Sequence, residues 1–246
     1  MPIYNTHVGW LNRPLDEMVD KCKEAVSKKG FRALKLKVGK PELAEDVERV
    51  ASVRNAVGGR IKIMVDANQS WTFAEAVRRA KALQKFDLIW LEEPMPADNV
   101  EAYSRLSLHT EIPLAGGESI YSIEHFYEAI SRGALGFVQP DVARIGGITP
   151  AMKVCAIAES AGLPVAPHVS PELSVVVASA VPNSAFVEYI PQMKPVLAKE
   201  LIIEDGYAVP SDEFGHGIEF DENALIKFEV KQGDSSHNRT DERACA

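Results

Sequence analysis

Lys62-Ile63-Met64-Val65-Asp66 leads into a helical pattern over residues 72–86 and then into Leu88-Ile89-Trp90-Leu91-Glu92, and this stretch decides the fold. Each short run is rich in bulky apolar residues and closes on an acid. The segment between them repeats apolar residues at helical spacing. Two strands joined through a helix run parallel, because only a crossover of this length can connect them. Working outward, the same unit recurs. Strands are expected at 3–6, Ala33–Lys37, Lys62–Asp66, Leu88–Glu92, 114–118, 137–140, 165–168 and 186–189. Helical patterns fall at Leu15–Lys29, Leu43–Val57, 72–86, 100–106, Ile123–Ser131 and 150–161. Gly30, Gly58, Gly133 and Gly162 stand just past helix ends, where a left-handed residue is often needed. Eight strand–helix units predict an α/β fold closed as a (β/α)8 TIM-type barrel, and 246 residues is close to the ~250 such a barrel needs. The rival is an open doubly wound sheet, but no Gly-x-Gly-x-x-Gly follows the first strand.

The alternation predicts a catalytic barrel over residues 1–190. A C-terminal extension packing on it is expected over 191–230, with a turn signal at Asp205-Gly206. Residues 231–246 are polar and read as a disordered tail.

Composition narrows the function classes. A formal charge of −8 argues against a nucleic-acid partner. Cys22, Cys155 and Cys245 are scattered and form no Cys-x-x-Cys pair, which excludes a zinc knuckle and a disulfide framework. No apolar run approaches the length of a membrane span, and no secretory signal opens the sequence. The expectation is a cytoplasmic protein acting on a small molecule.

The polar residues are informative by position. Catalytic groups of such a barrel gather at the C-terminal ends of its strands. There the sequence places Lys35 and Lys37, Asp66, Glu92, Glu118, Asp141, His168 and Glu188. Taken singly, each acid reads as a surface or capping residue, Lys-x-Lys as a solvated edge, and a lone His as structural. Together they form a ring. Asp66, Glu92 and Glu118 come from successive strands and would repel one another without a cation. An all-oxygen donor set suits Mg²⁺ better than Zn²⁺, so one Mg²⁺ is expected in the site. Glu92 and Glu93 cannot both point inward, and Glu92 is assigned the inward place. Lys35 and Lys37 share one face of their strand, where a lysine that gives up its proton can serve as general base. Asp141 can orient His168 and stabilise its protonated ring, making His168 a second acid–base group.

The ordered set Lys-x-Lys, Val-Asp-Ala-Asn-Gln, Glu-Glu-Pro, Gly-Gly-Glu-Ser, Gln-Pro-Asp, Pro-His and Val-Glu-Tyr resembles the mandelate racemase subgroup of the enolase superfamily, over residues 1–230. The resemblance implies that Lys37 is the strand-two base, that Asp66, Glu92 and Glu118 are the magnesium ligands, and that His168 and Asp141 form a dyad. It makes Glu188, with Lys35, a partner of the substrate carboxylate and enediolate, and puts Asn68 where some members contact substrate. The implied substrate is a small hydroxy-carboxylate. The implied reaction is α-proton abstraction to a metal-stabilised enediolate, followed by loss of the β-hydroxyl in an aldonate or aldarate dehydratase of carbohydrate-acid catabolism. The alternatives are a mandelate racemase-like racemase or epimerase and an inactive truncated barrel. Cycloisomerases rank low on this reading, since Asp141 stands where that branch carries a lysine. The resemblance further implies a symmetric homo-oligomer and an N-terminal capping domain. The expectation is that the cap is absent from these residues and is supplied by missing N-terminal sequence.

Overall fold

The computed structural model describes residues 1–229. The expected tail at 231–246 lies outside them. A seven-stranded parallel sheet curls through the molecule. Its strands are β1 (Ile3–Asn5), β2 (Ala33–Lys37), β3 (Lys62–Asp66), β4 (Leu88–Glu92), β5 (Leu114–Gly116), β6 (Phe137–Val138) and β7 (Val187–Tyr189). The hydrogen-bonded order is β6-β5-β4-β3-β2-β1-β7. The gap between β6 and β7 is spanned by Val165, which bridges Val138 on one side and Ser184 on the other. Val138 N donates to Pro164 O and Ala166 N to Val138 O, while Ala185 N donates to Val165 O. This closes the ring.

The expected strand at 165–168 is therefore present only as isolated bridges. Pro164 and Pro167 flank Val165 and have no N–H to give, so a continuous ladder cannot form. Three other strands stop short of their expected ends, β1 by the single residue Thr6 and β5 and β6 by two each. Gly117, with φ +144°, ends β5 before Glu118, and a Cβ there would meet the Gln139 carbonyl oxygen at 2.5 Å. Pro140 curtails β6 in the same way as the prolines beside Val165.

Helices α1 (Leu15–Lys29), α2 (Leu43–Val57), α3 (Phe73–Leu83), α4 (Val100–Ser107), α5 (Ile123–Ser131) and α6 (Ile148–Ser160) alternate with the strands. Their starts are chemically marked. Thr72, Asn99 and Ser122 accept from backbone N–H groups of the first turns of α3, α4 and α5, and Glu42 and Glu45 form a capping box on α2. On α1, Met18, Cys22 and Ala25 are buried at helical spacing. A further helix, α7 (Pro171–Ser179), was not expected from the pattern. Its Val175-Val176-Val177 run shows no helical periodicity, and Pro171 at its first turn is the clearest start signal.

After β7 the chain forms an antiparallel hairpin, β8 (Ile202–Glu204) and β9 (Tyr207–Val209), and a short helix α8 (Glu222–Lys227). Asp205 and Gly206 turn it, both with positive φ (49° and 81°), as a two-residue hairpin loop requires. Ala208 N donates to Met1 O, and Ile3 N to Gly206 O, so the hairpin docks below the start of β1.

Two apolar layers hold the ring. A large cluster packs the outer faces of the strands against the helices, from Leu34, Leu36, Val65 and Leu91 to Met18, Val50, Ala80 and Leu106. Inside the ring, Tyr4, Ala33, Met64, Trp90, Ala115, Ala166 and Phe186 form a separate floor. Residues two positions further along a strand face the same way. One step above Ala33, Met64, Trp90, Ala166 and Phe186 therefore come Lys35, Asp66, Glu92, His168 and Glu188.

Candidate active site

That step from apolar floor to ionisable layer builds the site. Lys35 is fully buried (0% exposed), whereas Lys37, one pleat nearer the mouth, is 8% exposed. The Lys35 ammonium lies 2.5 Å from Glu92 Oε1, 2.8 Å from Glu188 Oε1 and 3.4 Å from Asp66 Oδ2. Lys37 has one carboxylate partner, Asp66 Oδ2 at 2.5 Å, and stands 5.6 Å from the centre of the Trp10 ring. Trp10 belongs to the loop after β1, whose Gly9 carbonyl accepts from Lys37 N at 2.8 Å.

On the other side of the ring, His168 Nδ1 contacts Asp141 Oδ2 at 2.8 Å and Nε2 contacts Glu118 Oε2 at 3.1 Å. Asp141 also accepts from the backbone N–H groups of Ala143 and Arg144. Glu188 Oε1 accepts from the Thr6 hydroxyl at 2.5 Å and its Oε2 from Val169 N at 2.9 Å. Asn68 sits at the exposed rim with φ 43°, and its backbone N–H donates to Asp66 Oδ1 at 2.8 Å. The structure thus brings together Lys35, Lys37, Asp66, Glu92, Glu118, Asp141, His168 and Glu188, with Asn68 at the edge.

The charges are interdependent. Burial would raise the Asp66 carboxyl, but Lys37 and Lys35 outweigh it and hold it below the usual carboxylate range. Burial and the neighbouring Asp66 push Glu92 up to about 8. Glu188 is buried too, yet Lys35 and His168 draw it down to about 2. Burial works against a charged His168, but hydrogen bonds to Asp141 and Glu118 win and raise it to about 10. Lys35 shows the same contest: burial disfavours its charge, and Glu188 and Glu92 hold it well above the ordinary lysine value.

One oxygen from each of Asp66, Glu92 and Glu118 falls within 4.8 Å of the other two. The surroundings fit a cation there. Two lysine ammonium groups already contact the trio, yet burial and Asp66 still push Glu92 upward, so the buried acids are short of positive charge. Three hard oxygens of this kind suit a small divalent ion.

Several contributors were not singled out among the site residues. Gln139 and Trp90 both donate to Glu92 Oε2, at 2.8 and 2.9 Å. Arg144 reaches Glu118 Oε1 at 3.4 Å and Asp141 Oδ2 at 3.5 Å. Gln139 could have been found, since it lies just past β6, two residues before Asp141 in Gln-Pro-Asp. Arg144 sits in a loop whose path periodicity does not give, while Thr6 ends the expected first strand but is uncharged and carries no signal of its own.

A family model described as "Enolase C-terminal domain-like" matches residues 17–224. The chain belongs to this family. Among curated members, L-talarate/galactarate dehydratase of Salmonella typhimurium is 36% identical over 222 residues, covering 90% of this chain and 55% of that protein. A 3,6-anhydro-alpha-L-galactonate cycloisomerase of Streptomyces coelicolor is 37% identical over 202 residues, covering 82% of this chain and 56% of its own length. That second relative carries the name of a reaction class that the sequence reading ranked low, so the similarity takes in both dehydratases and cycloisomerases. Among solved structures, a mutant L-talarate/galactarate dehydratase liganded with Mg and L-glucarate superposes with a TM-score of 0.88 at 34% identity, covering 92% of this chain and 57% of that one. The chain therefore spans a little over half the length of these enolase-like relatives. No helix among the described residues is long and apolar enough to cross a membrane.

Proposed function

We propose that this enolase-like barrel removes the proton α to the carboxylate of a hydroxylated sugar acid and then expels the β-hydroxyl, giving a 2-keto-3-deoxy acid. The observation that carries the reading is the placement of two acid–base groups at the two ends of the carboxylate trio: Lys37 against Asp66, His168 against Glu118. A bound Mg²⁺, held by Asp66, Glu92 and Glu118, would supply positive charge that offsets the charge developing on the substrate carboxylate.

The chain's own groups do the rest. Lys37 is the lysine nearer the mouth and has a single carboxylate partner, so in its free-amine form its Nζ can take the α-proton. Lys35, fixed by three carboxylates, is placed as a permanent positive charge beside the carboxylate oxygens. Glu188, ionised and pinned by Thr6 and Val169, anchors the Lys35 ammonium that faces the substrate carboxylate. His168, kept protonated by Asp141, gives its Nε2 proton to the departing β-hydroxyl, which leaves as water while the enediolate electrons form the new double bond. The enol then tautomerises to the ketone. The apolar floor keeps water from entering beneath, which strengthens these interactions. A racemase reading draws on the same geometry: His168 returning its proton to carbon instead of oxygen would invert the centre.

Both readings are tested by incubating the Mg²⁺-loaded protein in D₂O with a panel of aldonates, aldarates and mandelate, following α-hydrogen exchange by NMR and keto-acid formation by derivatisation. Dehydration gives keto acid and racemisation gives exchange without it. Substituting Lys37 with Met should lower either rate by about 10²–10⁴-fold, the usual contribution of a positioned acid or base. No exchange across the panel, or a K37M variant as active as the parent, would overturn the proposal.

A further inference from the structure

Outside the ring of charges, one neutral side chain touches the loops behind all three carboxylate-bearing strands. Gln69 lies three residues after Asp66. Its amide Nε2 donates to Glu93 Oε2 and to Ser119 Oγ, both at 2.9 Å. Its Oε1 accepts from Ala97 N at 3.0 Å, and its own backbone N–H donates to the Glu93 carbonyl at 2.6 Å. Glu93 directly follows Glu92, and Ser119 directly follows Glu118. Both amide hydrogens and the amide oxygen are thus engaged, each with a loop that continues from a carboxylate-bearing strand. Gln69 and Glu93 hold this arrangement with left-handed backbones, φ 62° and 37°, which a side-chain-bearing residue adopts only when its surroundings impose it.

We infer that Gln69, through Glu93 and Ser119, is a positioning residue that sets the separation of Asp66, Glu92 and Glu118. Adjacent strands lie about 4.7–4.9 Å apart. A six-coordinate Mg²⁺ at 2.0–2.1 Å wants neighbouring oxygens roughly 2.9 Å apart and tolerates little deviation. The strands alone do not fix that geometry, and the residues after them must. Gln69 ties those residues together from outside the ring, so the carboxylates arrive preset and not as three independent loops. Ca²⁺, with longer and more variable contacts, depends less on such presetting. The inference rests on reading the trio as a metal centre.

Calorimetric titration of the chelator-treated chain with Mg²⁺ alone and with Ca²⁺ alone separates the two claims. Wild-type protein that takes up neither ion refutes the metal centre, and the clasp falls with it. Where the wild type binds, Gln69→Met, which keeps bulk and loses all three amide contacts, should weaken Mg²⁺ binding by about 10–100-fold, the range for residues supporting a ligand from behind. Ca²⁺ binding should weaken markedly less. Ser119→Ala should lower Mg²⁺ affinity in the same sense and Ser119→Thr, which keeps the hydroxyl, should restore it; this pair decides the matter if the Gln69 variant does not fold. Unchanged Mg²⁺ affinity in both Q69M and S119A, or equal losses for the two ions, overturns the role assigned to Gln69 while leaving the metal centre intact.

Discussion

Lys35 offers the sharpest test of how the charged layer is held. It is buried without exposure and lies within 3.4 Å of Glu92, Glu188 and Asp66. In the metal-free protein it and Lys37, with the His168 imidazolium 3.9 Å from Glu188, are the cations that meet those acids. Lys35→Met preserves most of the buried stem and removes the charge. Breaking a buried pair by deleting one partner costs about 3–5 kcal/mol, because it strands the other charge. For a chain of this size each kcal/mol moves the melting temperature by about 2–4 °C, so a fall of roughly 6–20 °C is expected in EDTA. Magnesium should then stabilise the variant more than the parent, since the ion now replaces a missing charge instead of joining one already present. An ion at a hundred times its dissociation constant adds about 2.7 kcal/mol, enough to recover much of the deficit. Differential scanning calorimetry of both proteins, with EDTA and with a magnesium series, reads this directly. Equal melting temperatures in EDTA, or parallel magnesium shifts, would refute the account of Lys35 as the internal counter-charge.

Three further outcomes follow from the structure. Gly117→Ala should lower the urea midpoint by an amount corresponding to more than about 1 kcal/mol, since the new methyl meets the Gln139 carbonyl and φ is +144°; an unchanged midpoint would contradict the tight passage there. Arg79→Met strands Asp46, which is fully buried but keeps the N–H groups of Gly39 and Lys40. Its cost should therefore fall toward the lower end of about 3–5 kcal/mol, read by denaturant unfolding. Burial raises the Cys22 thiol to about 12 and the Cys155 thiol to about 11, from an ordinary 9.0. Both should resist Ellman's reagent until the protein is unfolded. Because the folded thiols hold their protons more tightly than the unfolded ones, their contribution is complete below pH 9 and is lost as the pH rises toward 11 and 12. Removing them by Cys22→Ala and Cys155→Ala should flatten that alkaline loss.

The legible parts of this fold were those where local chemistry and tertiary pairing agree. The bounds of β2, β3 and β4 follow from their apolar runs, because each is flanked by partners on both sides and ends in a charged residue at the mouth. Val165 is the opposite case. Its strand was visible as apolar character, but Pro164 and Pro167 deny it a ladder, and only the ring around it shows that it closes the barrel. Helix α7 was missed because its valines give no period. Among the site residues, those at strand ends could be placed by counting. Arg144 could not, since a loop's path depends on packing that no periodic pattern encodes, and Thr6, though the expected end of the first strand, has no charge to mark it. Gln69 lay in plain view within Val-Asp-Ala-Asn-Gln, yet its reach to Glu93 and Ser119 depends on the left-handed turn that carries it.

The layer of Tyr4, Trp90 and Phe186 inside the ring has one more consequence. It closes the inner end of the ring, so any ion or small molecule that reaches the charged layer would have to come and go by the mouth. Whatever enters last leaves first. A carboxylate resting above the three acids would shut the ion in beneath it, and turnover would proceed over an ion that need not be exchanged between cycles.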